Sequence, residues 1–102
     1  MELKPGSRWK SVVCTTEVVV VRPPKLPVSL ECGGQPMVAL AGEAPAGSTL
    51  SPAFSNGTSV GKRYFDEAAG IEVLGSKAGA GSLGVDGRVL AIKEAKALPA
   101  SD

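Results

Sequence analysis

Histidine is absent from the 102 residues, which removes the side chain that titrates nearest neutrality and serves most often as general base and nitrogen metal ligand. Aromatics are scarce: one Trp, one Tyr and two Phe. A stacking platform for bases or sugars would rest on Trp9 and Tyr64 alone, and so few large residues are expected to anchor the core instead. Neither sign of charge dominates. Lys and Arg total 11, Asp and Glu 10, and the formal net charge of +1 gives no field that gathers a polyanion, so no nucleic acid is expected as partner. Long apolar runs are missing too. The valines at 18–21 stop at Arg22 and two prolines, far short of the roughly 20 residues of a spanning helix, and no membrane partner is expected. The first six residues have neither the basic start nor the apolar run of a signal peptide, so a cytoplasmic location is expected.

The residues that are present speak for strands. Residues 9–13 and 17–21 are rich in β-branched side chains around the short polar step Cys14-Thr15-Thr16, and read as two tightly joined strands. Three prolines within 22–27 delete three backbone donors and make a loop. Residues 28–32 alternate apolar and polar, and Gly33-Gly34-Gln35-Pro36 then breaks the pattern before an apolar run at 37–40. Gly, Ala, Ser and Pro dominate 41–61, a connecting segment in which Phe54 is expected to dock rather than stay in water. Residues 62–66 and 71–74 read as strands around Glu67-Ala-Ala-Gly70, with a helix as the alternative there. Asp86-Gly87 between 82–85 and 88–92 is the pair that favours a two-residue hairpin, because both central residues need positive φ. Residues 93–99 could close a helical turn before a loose terminus at 99–102. The chain is thus expected to be a small single domain, mostly β and antiparallel, with one modest core.

Two glycine patterns invite functional readings and fail on context. Gly79-Ala-Gly81-Ser-Leu-Gly84 has the spacing of a dinucleotide-binding fingerprint, but a hairpin follows where that motif needs a helix N-terminus for the pyrophosphate. A flexible loop is expected. Gly57 to Lys62 is one residue short of a phosphate loop, and Arg63 stands where a magnesium-binding hydroxyl belongs. The sequon Asn56-Gly57-Thr58 is read as a turn. The neighbouring charges Lys62-Arg63 and Asp66-Glu67 alternate faces of a strand and are expected to be solvated.

The cysteines carry the most information. Cys14 and Cys32 are 18 positions apart, each beside a tight turn of the kind that presents a thiolate. Trp9-Lys-Ser-Val-Val-Cys14, a valine-rich strand, and then Leu30-Glu-Cys32-Gly-Gly-Gln-Pro-Met37 resemble desulforedoxin, the small iron-binding domain also found at the N-terminus of desulfoferrodoxins. The resemblance covers about the first 40 residues. In that family an aromatic-Lys lead precedes a Cys-x-x-Cys knuckle, and Cys-Cys-Gly-x-x-Met follows a loop. Cys14 matches the second cysteine of the first pair and Cys32 the first of the second. Ser11 and Gly33 stand at the other two ligand positions. What remains is scaffold: Gly34, Pro36 and Met37, which shape the second turn. The resemblance implies a rubredoxin- or desulforedoxin-like ribbon over 1–40, joined by 41–61 to a β-hairpin extension over 62–98. The superoxide-reducing centre of the larger family members needs histidines and is not implied.

One chain supplies two thiolates and no imidazole, so a complete tetrahedral zinc or iron site within it is not expected. Three readings stay open for the pair: reduced buried thiols; a disulfide, whose loop would contribute about 3 kcal/mol in the chain-entropy model; or a zinc or iron ion shared across a two-fold axis. The expected function is a non-catalytic accessory or binding domain, with a metal-binding or thiol redox protein as the alternative. A ribbon of this size must bury Val13, Val18, Val20, Leu30 and Met37 against the second half of the chain or another copy, and the valine run is expected to be covered on both faces. A homodimer is therefore expected, and a further protein partner is compatible with an accessory role.

Overall fold

The structure is a computed structural model that describes residues 2–43 and 49–93. Ten short strands form two antiparallel sheets: β1 (Arg8–Lys10), β2 (Glu17–Arg22), β3 (Leu30–Cys32), β4 (Gln35–Pro36), β5 (Val38–Ala39), β6 (Arg63–Asp66), β7 (Ile71–Lys77), β8 (Leu83–Val85), β9 (Arg88–Val89) and β10 (Ala91–Lys93). The larger sheet runs β10-β6-β7-β2-β1-β5 and the smaller β4-β3-β8-β9. No α-helix occurs among the described residues, so the stretch 67–70 is a turn. There the Asp66 carboxylate accepts the Ala69 N–H, and Gly70 lies at φ 76. Among the described residues no helix is long and apolar enough to cross a membrane.

Both edges of the small sheet hand the chain to an edge of the large one. β4 passes through Met37 into β5, and β9 passes through Leu90 into β10. At these crossings the Met37 N–H donates to Leu30 O and the Leu90 N–H to Leu83 O, and both side chains are buried. The run expected as one strand at 88–92 is therefore two strands in two sheets, because a single buried leucine turns it across the core. Between the sheets lies one cluster: Trp9, Val18, Val20, Tyr64, Ile71 and Val73 from the large sheet, and Leu30, Cys32, Leu83 and Val85 from the small one.

That cluster shows what one chain does with the valine run. Val18 and Val20 face the core, while Val21 is 42% exposed, so the strand alternates as period-two geometry dictates and only one face is fully covered. That face packs in one cluster with Leu30, Cys32, Leu83 and Val85 of the small sheet, and within its own sheet β2 pairs with β7, Val20 opposite Val73. Two other boundaries move. β1 stops at Lys10 because Ser11 turns the chain, its N–H donating to Thr16 O. Gln35 and Pro36 are strand rather than breaker, the turn being Gly33-Gly34 alone at φ 66 and 88. Pro36 is tolerated because β4 is an edge. The helical turn and loose terminus expected at 93–102 lie, beyond Lys93, outside the described residues.

Candidate functional site

Ser11 organises the loop that presents Cys14. Its Oγ accepts the Val13 N–H at 3.1 Å and the Cys14 N–H at 3.2 Å, a local side-chain cap that competes with strand geometry and ends β1. The loop closes at Thr16, which is fully buried. Cys32 arrives on β3 with its side chain in the core. The two sulfurs stand 3.8 Å apart, and both cysteines are free thiols. Cys14 Sγ is also 3.3 Å from Ser11 Oγ, 3.3 Å from Thr16 Oγ1 and 3.3 Å from the Gly81 N–H that donates to it.

The glycines of the segment between β7 and β8 make this packing possible. A Cβ on Gly79 would meet the Thr16 hydroxyl and come within 3.0 Å of Cys14 Sγ. One on Gly81 would stand 3.0 Å from Cys32 Sγ and 2.9 Å from Gly33 N. The segment is held in place by Thr58, whose hydroxyl donates to Gly81 O at 2.7 Å, by paired backbone bonds between Thr58 and Gly79, and by Thr15 Oγ1 donating to Ala78 O at 2.7 Å. The glycine spacing that mimics a nucleotide fingerprint is thus a bare backbone wall against two sulfurs. No helix follows it, and β8 does.

The pair is electrostatically asymmetric. Burial pushes the Cys14 thiol up, but hydrogen bonds from the Ser11 and Thr16 hydroxyls and the Thr16 and Gly81 N–H groups outweigh it and bring the group down to about 7. Burial, and then the charge on Cys14, push Cys32 up to about 11. At neutral pH one sulfur is substantially thiolate and its neighbour is a protonated thiol.

Among the described residues no group of three or more His, Cys, Asp or Glu side chains converges. Ser11 does lie beside the thiols, but hydroxyls are not the soft or imidazole donors that zinc or iron takes in such sites. At Gly33 the space a ligand side chain would need is filled by Val13 Cγ2 and Leu50 Cδ1, 2.5 and 2.6 Å from an added Cβ. Among the described residues the two sulfurs have no third or fourth thiolate, imidazole or carboxylate beside them. The remaining marked residues are structural neighbours. Trp9 is core, its Nε1 donating to Ser7 Oγ at 3.0 Å. Tyr64 is core as well, its hydroxyl accepting the Ser59 N–H at 2.8 Å. Phe54 is half-buried beside Gly34, and Met37 sits at the sheet crossing. Asp86 and Gly87, at φ 49 and 84, form the expected turn at the far end of the β3–β8 ladder. Sequence reasoning missed Ser11 and Thr16 as partners of the thiolate. The signal was the hydroxyls at i−3 and i+2 of Cys14.

Of the charged residues expected to be solvated, Lys62 and Glu67 are exposed, while Arg63 and Asp66 take part in ion pairs. Arg88 grips Asp66 with Nε and Nη2 at 3.3 and 2.8 Å, and the nearly buried Glu72 lies 3.5 Å from Arg63 and 3.1 Å from Lys93. Asp66, Glu72, Lys93, Arg22, Lys25 and Phe65 contribute to a cavity of ≈ 280 Å³. Comparison of the chain with family models, with curated proteins and with solved structures returns no match.

Proposed function

We propose that the chain is a redox-responsive accessory domain whose working element is the Cys14–Cys32 pair, passing between dithiol and disulfide. The observation that carries this is the asymmetry of two sulfurs 3.8 Å apart, one half-buried and ringed by donors, the other in the core. In thiol–disulfide chemistry a thiolate attacks and a second thiol resolves the product. Cys14 takes the first role and Cys32 the second. Because Cys14 bonds to the Gly79–Gly81 segment that links the two sheets, its redox state bears directly on how that segment is held. The output is the state of the domain rather than turnover. The scaffold is read as desulforedoxin-like from the motifs at 9–14 and 30–37, with the thiol pair in place of the metal.

A second reading rests on the same distance. Two thiolates on one tetrahedral zinc, each about 2.3 Å from the metal, stand about 3.8 Å apart, so two copies of the chain could share one ion in a homodimer. One experiment separates the two. Protein isolated without added metal is analysed for zinc and iron, and its free thiols are counted by intact mass after mild oxidation and again after treatment with dithiothreitol. Metal-free protein that loses both thiols reversibly within one chain supports the redox domain. One zinc or iron per two chains, with thiols that resist oxidation, overturns it in favour of the shared site.

A further inference from the structure

The immediate surroundings of Cys14 say which oxidant the pair would meet, on the premise that it works as a dithiol. Both lone-pair sides of Ser11 Oγ are engaged by the Val13 and Cys14 N–H groups, so once Cys14 loses its proton the Ser11 hydroxyl proton is free to turn to Sγ, 3.3 Å away. The hydroxyl of the fully buried Thr16 stands at the same 3.3 Å on the sulfur. When Cys14 is ionised both hydroxyls turn donor toward it, beside the Thr16 and Gly81 N–H groups, so the sulfur is met by neutral donors with no cation among them. The Gly79–Gly81 backbone and Cys32 wall off further directions, closely enough that even a methyl group on either glycine would collide. A disulfide substrate needs three sulfurs nearly in line and brings a bulky substituent with it. A hydroperoxide presents two oxygens and needs hydrogen-bond donors beside the one that departs.

We propose that Cys14 is a hydroperoxide-reactive thiolate, with the Ser11 and Thr16 hydroxyls serving the departing oxygen and Cys32 serving as the resolving thiol. In the first step Cys14 Sγ attacks one peroxide oxygen. An S–O bond forms, the O–O bond breaks, and the departing hydroxide takes a solvent proton relayed by a hydroxyl and leaves as water. Two electrons pass from sulfur to peroxide, and Cys14 becomes a sulfenic acid. In the second step Cys32 Sγ attacks Cys14 Sγ. The S–S bond forms, the S–O bond breaks, and the hydroxide leaves as water with the Cys32 proton. The sum is two thiols and hydrogen peroxide giving one disulfide and two waters.

The test compares two oxidants on the reduced full chain at pH 7: hydrogen peroxide and oxidised glutathione. Hydrogen peroxide is expected to form the Cys14–Cys32 disulfide at least tenfold faster, per thiolate, than it oxidises free cysteine. The Cys32→Ser variant is expected to accumulate a sulfenic acid at Cys14 that dimedone traps. Ser11→Ala and Thr16→Val, each corrected for its own thiolate fraction, are expected to slow the peroxide step on the order of tenfold. Thr16→Val leaves the Ser11 cap intact and serves if Ser11→Ala does not fold. Peroxide reactivity no greater than that of free cysteine, alongside ready disulfide formation with oxidised glutathione, overturns the hydroperoxide assignment and leaves the dithiol domain standing. Failure of both oxidants to form the disulfide overturns the two together.

Discussion

The two ends of the β3–β8 ladder carry the same backbone device in opposite surroundings. Gly33-Gly34 at one end and Asp86-Gly87 at the other are two-residue hairpin turns with positive φ at both central residues. At the first, a Cβ on Gly33 would strike Val13 and Leu50, and the thiols and the Gly79–Gly81 wall lie alongside. Gly87 at the second has nothing within 4 Å. That end is held by polar and ionic contacts instead: Asp86 Oδ1 accepts the Ser29 N–H at 2.9 Å, Glu31 Oε1 accepts the Gly87 N–H at 3.0 Å, and Arg88 pairs with Asp66. Turn geometry is therefore a local property, and what a turn can tolerate is not. Charge at the open end is balanced by countercharge in water, whereas charge at the packed end, on Cys14, is balanced by neutral donors.

The sharpest way to test this contrast is to add one methyl group at the packed end. Gly79→Ala places a Cβ against the Thr16 hydroxyl and 2.5 Å from Thr16 N, and with backbone on both sides the clash cannot be relieved by a rotamer. A loss of about 3 kcal/mol in urea unfolding is expected, at the upper end of overpacking costs. An unchanged midpoint would mean that the wall is not closed. Gly87→Val tests the open end, where the only cost is a β-branched residue at φ 84. A loss of about 1–2 kcal/mol is expected, and thermal melts showing a greater loss than for Gly79→Ala would reverse the comparison.

A third effect is in pH. Cys14 is lowered on folding to about 7 from 9.0, so between pH 7 and 9 the unfolded chain holds a proton that the folded chain has released, and stability rises with pH. Cys32 is raised to about 11, so between pH 9 and 11 the folded chain holds the extra proton and stability falls. Protein kept reduced is expected to be most stable near pH 9, and Cys14→Ser to lose the rise but keep the fall. At the open end, the Arg88 hydrogen bond holds Asp66 below its ordinary value. Its contribution is present above about pH 4 and fades as pH drops through the lower folded value. Urea midpoints across pH, in the presence of dithiothreitol, check both limbs.

Much of the strand pattern was legible because period-two alternation and turn chemistry are written locally. Asp86-Gly87 announces its hairpin, and the valine run its strand. Boundaries slipped where a single side chain turns an otherwise continuous run. Ser11 ends β1 by gathering its own loop, and Leu90 splits one apolar run between two sheets. The two cysteines were visible as a pair, and their order along the chain said nothing of which would be the thiolate. That depends on the hydroxyls of Ser11 and Thr16 and on a backbone N–H from Gly81, 67 residues beyond Cys14.

By itself, then, the sequence determined a mostly β antiparallel chain, the hairpin at Asp86-Gly87, and the lack of any imidazole, because composition and short-range sterics suffice for these. The tertiary structure alone decided that Gly79 and Gly81 face sulfur rather than phosphate, that Cys14 and Cys32 meet at 3.8 Å, and that Glu72 and Asp66 find cationic partners. Each of these is a contact between strands distant in sequence. Side chains brought together that way acquire their protonation states and reactivity from neighbours that no local pattern specifies.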